Sequence, residues 1–188
     1  MKFNRRLIFC SVLLLLCRLV VAQTNSVNNP TLKASGVQTG TSLGLSAAKP
    51  AEHTTLLQLL KVSGLLSQAN GKGPNTVFAP TNAAFSELSE RKLNELLLPS
   101  SKNRLIQFLA YHVVKGRLTS DQLRDGQNLT NLSGQILVVH KQGNDITIKD
   151  GRGTVAEVIQ PDIRATNGVF YSINRVLQRV VNEGPIVR

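Results

Sequence analysis

Apolar residues along this chain fall into three regimes. The first is a continuous run, "LIFCSVLLLLC" (7–17), preceded by Lys2, Arg5 and Arg6 and followed by "LVVAQ" (19–23), where Val20 and Ala22 suit a cleavage junction. A basic start, a short apolar centre and a small-residue junction predict an export signal over 1–22. Arg18 interrupts the run short of the roughly 20 residues a membrane-spanning helix needs, so no transmembrane anchor is expected in the mature chain. The second regime, 23–50, is small and polar, without acid or aromatic residue or a sustained apolar period, and predicts a flexible polar spacer. From 51 to 181 the apolar positions become periodic and suit one domain of ordinary size, leaving 182–188 as a C-terminal tail.

Within that domain the period is first helical. Leu56, Leu59, Leu60 and Leu66 recur on one face of "HTTLLQLLKVSGLLSQA" (53–69), with Thr54 or Thr55 able to cap its start. "NGKGPN" (70–75) breaks this helix, "TVFA" (76–79) reads as a short buried strand, and Pro80 stops it. Thr81 is placed to cap the helix that follows. Leu93, Leu96 and Leu97 give another helical stripe, and Leu105, Ile106, Phe108 and Leu109 a third. The pattern then changes to strands: "QILVVHK" and "DITIK" around "QGN" predict a hairpin, and "TVAEVI" and "GVFYSI" are further extended runs. Helices first and strands afterwards argue for an α+β fold over a doubly wound parallel sheet.

Composition then removes chemistries. Cys10 and Cys17 both lie before the expected cleavage point, so the mature domain is expected to hold neither thiol nor disulfide. Leu16 stands where lipidation of Cys17 wants a small residue, and a soluble secreted form is expected, extracellular, or periplasmic in a diderm bacterium. Removing 1–22, which carries four positive charges and no acid, lowers the net charge from +11 to +7. The cations alternate with acids along the sequence and read as a solvated surface rather than a polyanion-binding face. Trp is absent and the domain's aromatics sit in three short stretches, which offers no stacking platform for nucleic acid or for a carbohydrate site built on exposed Trp and Tyr. His53, His112 and His140 have no second ligand at metal-site spacing, and no nucleophile elbow, phosphate loop or dinucleotide fingerprint occurs. No enzyme, cofactor or metal is expected.

Two stretches carry a resemblance. "TVFAPTNAAFSEL" (76–88) resembles the first signature of the fasciclin domain family and "NGVFYSINRVL" (167–177) the second, with the Tyr111-His112 pair between them; the likeness covers about residues 51–181. It implies a β-sandwich-like wedge with several packed α-helices. It also implies a secreted cell-adhesion, extracellular matrix or envelope interaction module whose partner is a cell-surface or matrix protein or polysaccharide. "PDI" (161–163) is similar to a short acidic motif through which some animal members are said to engage integrins. Here Gln160 replaces an acid and Arg164 an apolar residue.

Physical chemistry assigns roles to these residues independently. Thr81 and Asn82 suit a fold-setting corner, and Asn167-Gly168 a tight turn in left-handed backbone. Tyr111 and His112, read as strand neighbours, would point to opposite faces; His112 reads as structural, with a partner contact as its other reading, and Tyr111 is a candidate exposed contact on the resemblance. Asp162 and Ile163, beside Pro161, are expected in a loop, where two readings stand: a small partner contact, or Ile163 plugging the core edge while Asp162 caps a turn. The alternative function is a carrier binding a small apolar molecule or lipid, which requires the leucine-rich helices to leave a gap. Asn128-Leu129-Thr130 and Asn131-Leu132-Ser133 are glycosylation sequons in a eukaryotic host; the junction and the lack of disulfides favour a bacterial surface or exported protein.

Overall fold

Glycine decides where the first helix ends. The computed structural model describes residues 51–69 and 73–180, with Gly40 and Ser42; the expected signal (1–22), the spacer (23–50, those two residues apart) and the tail (182–188) lie outside the described residues. After a 3₁₀ turn at Ala51–His53, α1 spans Thr54–Ser63. Gly64 closes it at φ +77°, its N–H returning to Lys61 O at 3.1 Å, a left-handed cap that costs a glycine little. The single helix expected over 53–69 is therefore broken, and Leu66 opens a separate four-residue helix, α2 (Leu66–Ala69). Leu56 and Leu59 are fully buried while Leu60 stays half-buried.

Strand β1 (Asn75–Pro80) leads into α3 (Asn82–Ser86), followed by α4 (Glu90–Leu97), a 3₁₀ turn at Pro99–Ser101, and α5 (Lys102–Tyr111). Ser89 caps α4 by accepting from Lys92 N, and Leu93, Leu96 and Leu97 are half-buried. In α5, Leu105 and Leu109, four residues apart, share the buried face. Tyr111 is the last residue of this helix and His112 its cap. They are not strand neighbours; the spacing from Leu105 through Phe108 and Leu109 carries the helical period to that point.

The remaining strands are β2 (Val113–Lys115), β3 (Asn128–Thr130), β4 (Ile136–Gln142), β5 (Asp145–Lys149), β6 (Val155–Ala165) and β7 (Gly168–Ile173). Their order is β2-β1-β7-β6-β5-β4-β3, antiparallel except for the parallel pair β1 and β7. An isolated bridge, Val114 to Asn131, and a bond from Leu132 N to Val113 O bring the two edges together, so the sheet folds over into a near-barrel wedge. This is the α+β class expected, with one strand, β1, inserted among the helices.

β6 belongs to both halves of the wedge. Val155–Glu157 pair with β5, and Val158–Ala165 with β7 across register shifts on either side of Gln160. Pro161 falls in that irregular stretch, where its missing N–H breaks no ladder bond, and the strand runs on through Asp162 and Ile163. Two cores result. Phe78, Tyr111, Leu137, Ile148, Val169 and Tyr171 are among those filling the inside of the wedge. Leu56, Leu59, Phe85, Leu105, Ile163 and Phe170 join the helices to its outer face.

Candidate functional site

The corner after β1 clasps the start of α1. Thr81 Oγ1 accepts from Ala84 N at 3.2 Å, capping α3. Asn82 works across the chain: its Oδ1 accepts from Thr55 N at 3.0 Å and its Nδ2 donates to Ala51 O at 2.9 Å. Neither Thr54 nor Thr55 caps α1 with its own side chain. His53 sits at the cap position without a capping bond; its Nδ1 donates to Pro80 O at 2.9 Å, which leaves Nε2 to accept from Ser172 Oγ at 3.2 Å. Burial lowers the His53 pKa. Asn82→Ala removes the cap and the Ala51 contact together and should cost about 1–2 kcal/mol. Asn82→Asp keeps the acceptor and should cost less. Urea unfolding of the two variants decides it, and equal midpoints for wild type and Asn82→Ala would show that the clasp contributes nothing.

Tyr111 and His112 are both interior. Tyr111, expected as an exposed contact, is 1% exposed because the end of α5 turns it into the wedge. Its Oη accepts from Gly151 N at 3.2 Å, and burial raises its pKa. His112 Nδ1 donates to Phe108 O at 2.9 Å, and Nε2 accepts from Leu177 N at 3.1 Å. That arrangement needs the neutral ring, and burial holds the His112 pKa at about 4.

Asp162 and Ile163 lie in β6 and not in a loop, and they are 3% and 4% exposed. Ile163 packs among Leu56, Leu59 and Phe170 in the helix-facing core. Asp162, at φ +55°, turns its carboxylate to the segment after β2. Oδ1 accepts from Ser120 N at 2.8 Å and lies 3.1 Å from Tyr171 Oη, and Oδ2 meets Ser120 Oγ.

The β6–β7 turn consists of Thr166 and Asn167; Gly168 is already the first residue of β7, paired with Ala165. Left-handed backbone is not used here, since Asp162 is the only described non-glycine residue of positive φ and Gly168 is not among the left-handed glycines. Asn167 instead ties the turn to α2, its Nδ2 donating to Ala69 O at 2.8 Å. Of the sequons, Asn128 is exposed, whereas the Asn131 Nδ2 atom that would carry a glycan is buried and its Oδ1 holds the Ser133 and Gln135 amides.

Two clefts flank α5. One, of about 610 Å³, lies between α1, α5 and the β1–β2 edge, with Leu56, Leu60, Val77, Ile106 and Ala110 in its lining. Among the described residues its only ionisable lining residues are Lys115 and the neutral His112. The helices therefore do leave a gap. The other, of about 200 Å³, lies between α4, α5, the β5–β6 turn and the segment after β7, and is lined by Lys92, Arg104, Arg152 and Arg179. Nothing local along the chain announces it, because these cations are scattered from 92 to 179. Among the described residues no group of three His, Cys, Asp or Glu could hold a metal ion, and no helix is long and apolar enough to cross a membrane.

Comparison with known proteins agrees with this architecture. The chain is 38% identical over 133 residues to protein sll1483 of Synechocystis sp., covering 70% of this chain and 69% of that one. It is 35% identical over 127 residues to transforming growth factor-beta-induced protein ig-h3 of Oryctolagus cuniculus, covering 68% of this chain but 18% of that protein's length. A solved FAS1 domain pair from the insect cell adhesion molecule Fasciclin I superposes at a TM-score of 0.51 with 26% identity, over 65% of this chain and 45% of that one. The family model described as fasciclin domain matches residues 51–179. A match running from the first helical turn to the segment beyond β7, joined to a relative at this level of identity, makes the chain a member of the fasciclin domain family.

Proposed function

We propose that the protein is an exported, non-catalytic interaction module that holds a cell-surface, matrix or envelope partner against an exposed face of a rigid domain. The observation that supports it is the fasciclin match over 51–179, together with the likeness to a domain pair from an insect cell adhesion molecule. Export rests on the apolar run at 7–17 and the junction at Ala22. Burial of Tyr111, Asp162 and Ile163 moves the contact away from the motif residues to the surface around them. The test uses beads coated with the purified protein and envelope or matrix material from its own source. Saturable retention above albumin-coated beads is expected, and equal retention overturns the proposal.

One observation favours the second reading, a carrier of a small apolar molecule: the 610 Å³ cleft has the size of an ordinary ligand site and, among the described residues, one cation in its lining. Saturable one-to-one uptake of a fluorescent fatty acid, abolished by Ala110→Phe, would support it. Absence of uptake by the wild type would remove it.

A further inference from the structure

The smaller cleft gathers the domain's positive charge. Lys92 comes from α4, Arg104 from α5, Arg152 from the β5–β6 turn and Arg179 from the segment after β7; among the described residues Glu95 is the one acid in the lining. The Glu95 carboxylate is drawn towards Arg91, whose Nε lies 3.1 Å away. The described residues carry fourteen Lys and Arg against ten Asp and Glu, a net charge of +4, so four cations facing one acid place most of that excess here. Lys92 Nζ and Arg152 Nη1 share a neutral acceptor, Gln178 Oε1, at 3.2 and 3.5 Å. Arg104 and Arg179 have no hydrogen-bond or ion-pair partner among the described residues. The donors of all four are thus largely free for an outside anion.

The backbone beneath these side chains is pinned. Asp150, buried under the cleft, accepts from Arg152 N at 2.9 Å, Thr154 N at 2.8 Å and Gln178 N at 2.6 Å. Its oxygens are turned to these amides rather than to the cations. Tyr111 Oη holds Gly151 N and His112 Nε2 holds Leu177 N. A Cβ on Gly151 would meet Val180 Cγ2 at 2.9 Å, so the turn lies flush against the terminal segment. The Tyr111-His112 pair therefore builds this cleft from below, and the cations stand on fixed ground, which lowers the ordering cost of binding.

We infer that this cleft binds an acidic polysaccharide through its repeated carboxylate or sulfate groups. Guanidinium forks match both groups in bidentate geometry and shed their hydration readily. Single-stranded nucleic acid is disfavoured, because every described Phe and Tyr is buried or half-buried, and Phe108 on the cleft wall is already packed on His112 at 5.1 Å. A flat anionic membrane fits less well than a flexible chain, because the cations come from four separate segments around a recess and not from one amphipathic face. The inference narrows the interaction-module reading to an anionic partner and rests on it.

The test measures binding of the full protein to heparin and to polygalacturonate at about 150 mM salt, with uncharged dextran and a single-stranded oligodeoxynucleotide alongside. Both polyanionic sugars should bind and dextran should not. Arg104→Ser with Arg179→Ser should weaken binding about tenfold or more without moving the melting temperature. Arg124→Ser with Lys149→Ser, the same loss of charge elsewhere on the surface, should leave the affinity within about twofold. Absence of binding to either sugar overturns the inference, as does equal weakening in the two double variants, which would mean diffuse charge. An oligonucleotide bound as tightly as the sugars overturns the partner class. Retention of envelope material by the Arg104/Arg179 variant at the wild-type level would overturn the cleft while sparing the interaction-module reading; wild-type sugar binding without envelope retention would do the reverse.

Discussion

Ile163→Ala should lower the unfolding free energy by about 2–5 kcal/mol, the usual range for truncating a buried Ile, and the melting temperature by roughly 10 °C for a domain of this size. The side chain fills the joint where α1 meets the outer face of the sheet, among Leu56, Leu59 and Phe170, and no exposed surface there could absorb the change. Asp162→Ala adds two separate penalties. It leaves the half-buried Ser120 amide without its acceptor, at about 1 kcal/mol, and it puts an alanine at φ +55°, a conformation that Asp adopts more readily. Thermal and urea unfolding of both variants, read by circular dichroism, provide the check. Variants that melt with the wild type would return these residues to the surface and restore them as a contact.

Acid should destabilise the domain before carboxylates titrate. His112 is neutral in the fold with a pKa of about 4, against about 6.5 in the unfolded chain. Above about pH 6.5 both states are neutral and its contribution is intact. As the pH falls below that value the unfolded chain takes up a proton that the folded one refuses, and stability is lost until the folded ring also titrates near pH 4. Between about pH 7.5 and 5 the loss should reach about 2 kcal/mol from His112 alone, and His53, whose pKa is also lowered by burial, adds in the same direction. Urea midpoints across that range measure it. A midpoint that stays constant from about pH 7.5 to 5 would mean that His112 is not held neutral. His112→Gln should start less stable and show a flatter pH dependence.

Local patterns carried the elements, and long-range geometry carried the rest. The Leu56/Leu59 and Leu105/Leu109 spacings are helical in the sequence and helical in the fold, and Gly143-Asn144 makes the β4–β5 turn between the two runs read as a hairpin. The single helix expected over 53–69 runs through Gly64, although a glycine inside an apolar helical run is where a left-handed cap is cheapest. The capping of α1 by Asn82 was not legible, because the bond spans 27 positions and nothing local at Thr55 announces it. Pro161 suggested a loop by an ordinary rule; the fold keeps the strand because the register shifts there, and a register shift depends on two partner strands at once. The basic cleft was invisible for the same reason, its cations being joined only when α5 and the terminal segment pack side by side.

The parallel pairing of β1 with β7 also sets the order in which the domain can be assembled. Asn75 is matched with Gly168, 93 positions later, and neither strand is at an edge of the sheet. A chain emerging N-terminus first makes its helices early, from local contacts, but has no neighbour for one side of β1 until nearly all of it has appeared. Closing so long a loop before the reward of pairing is a slow step. Full pairing of β1, with β2 on one side and β7 on the other, accordingly waits for the last strand of the sheet.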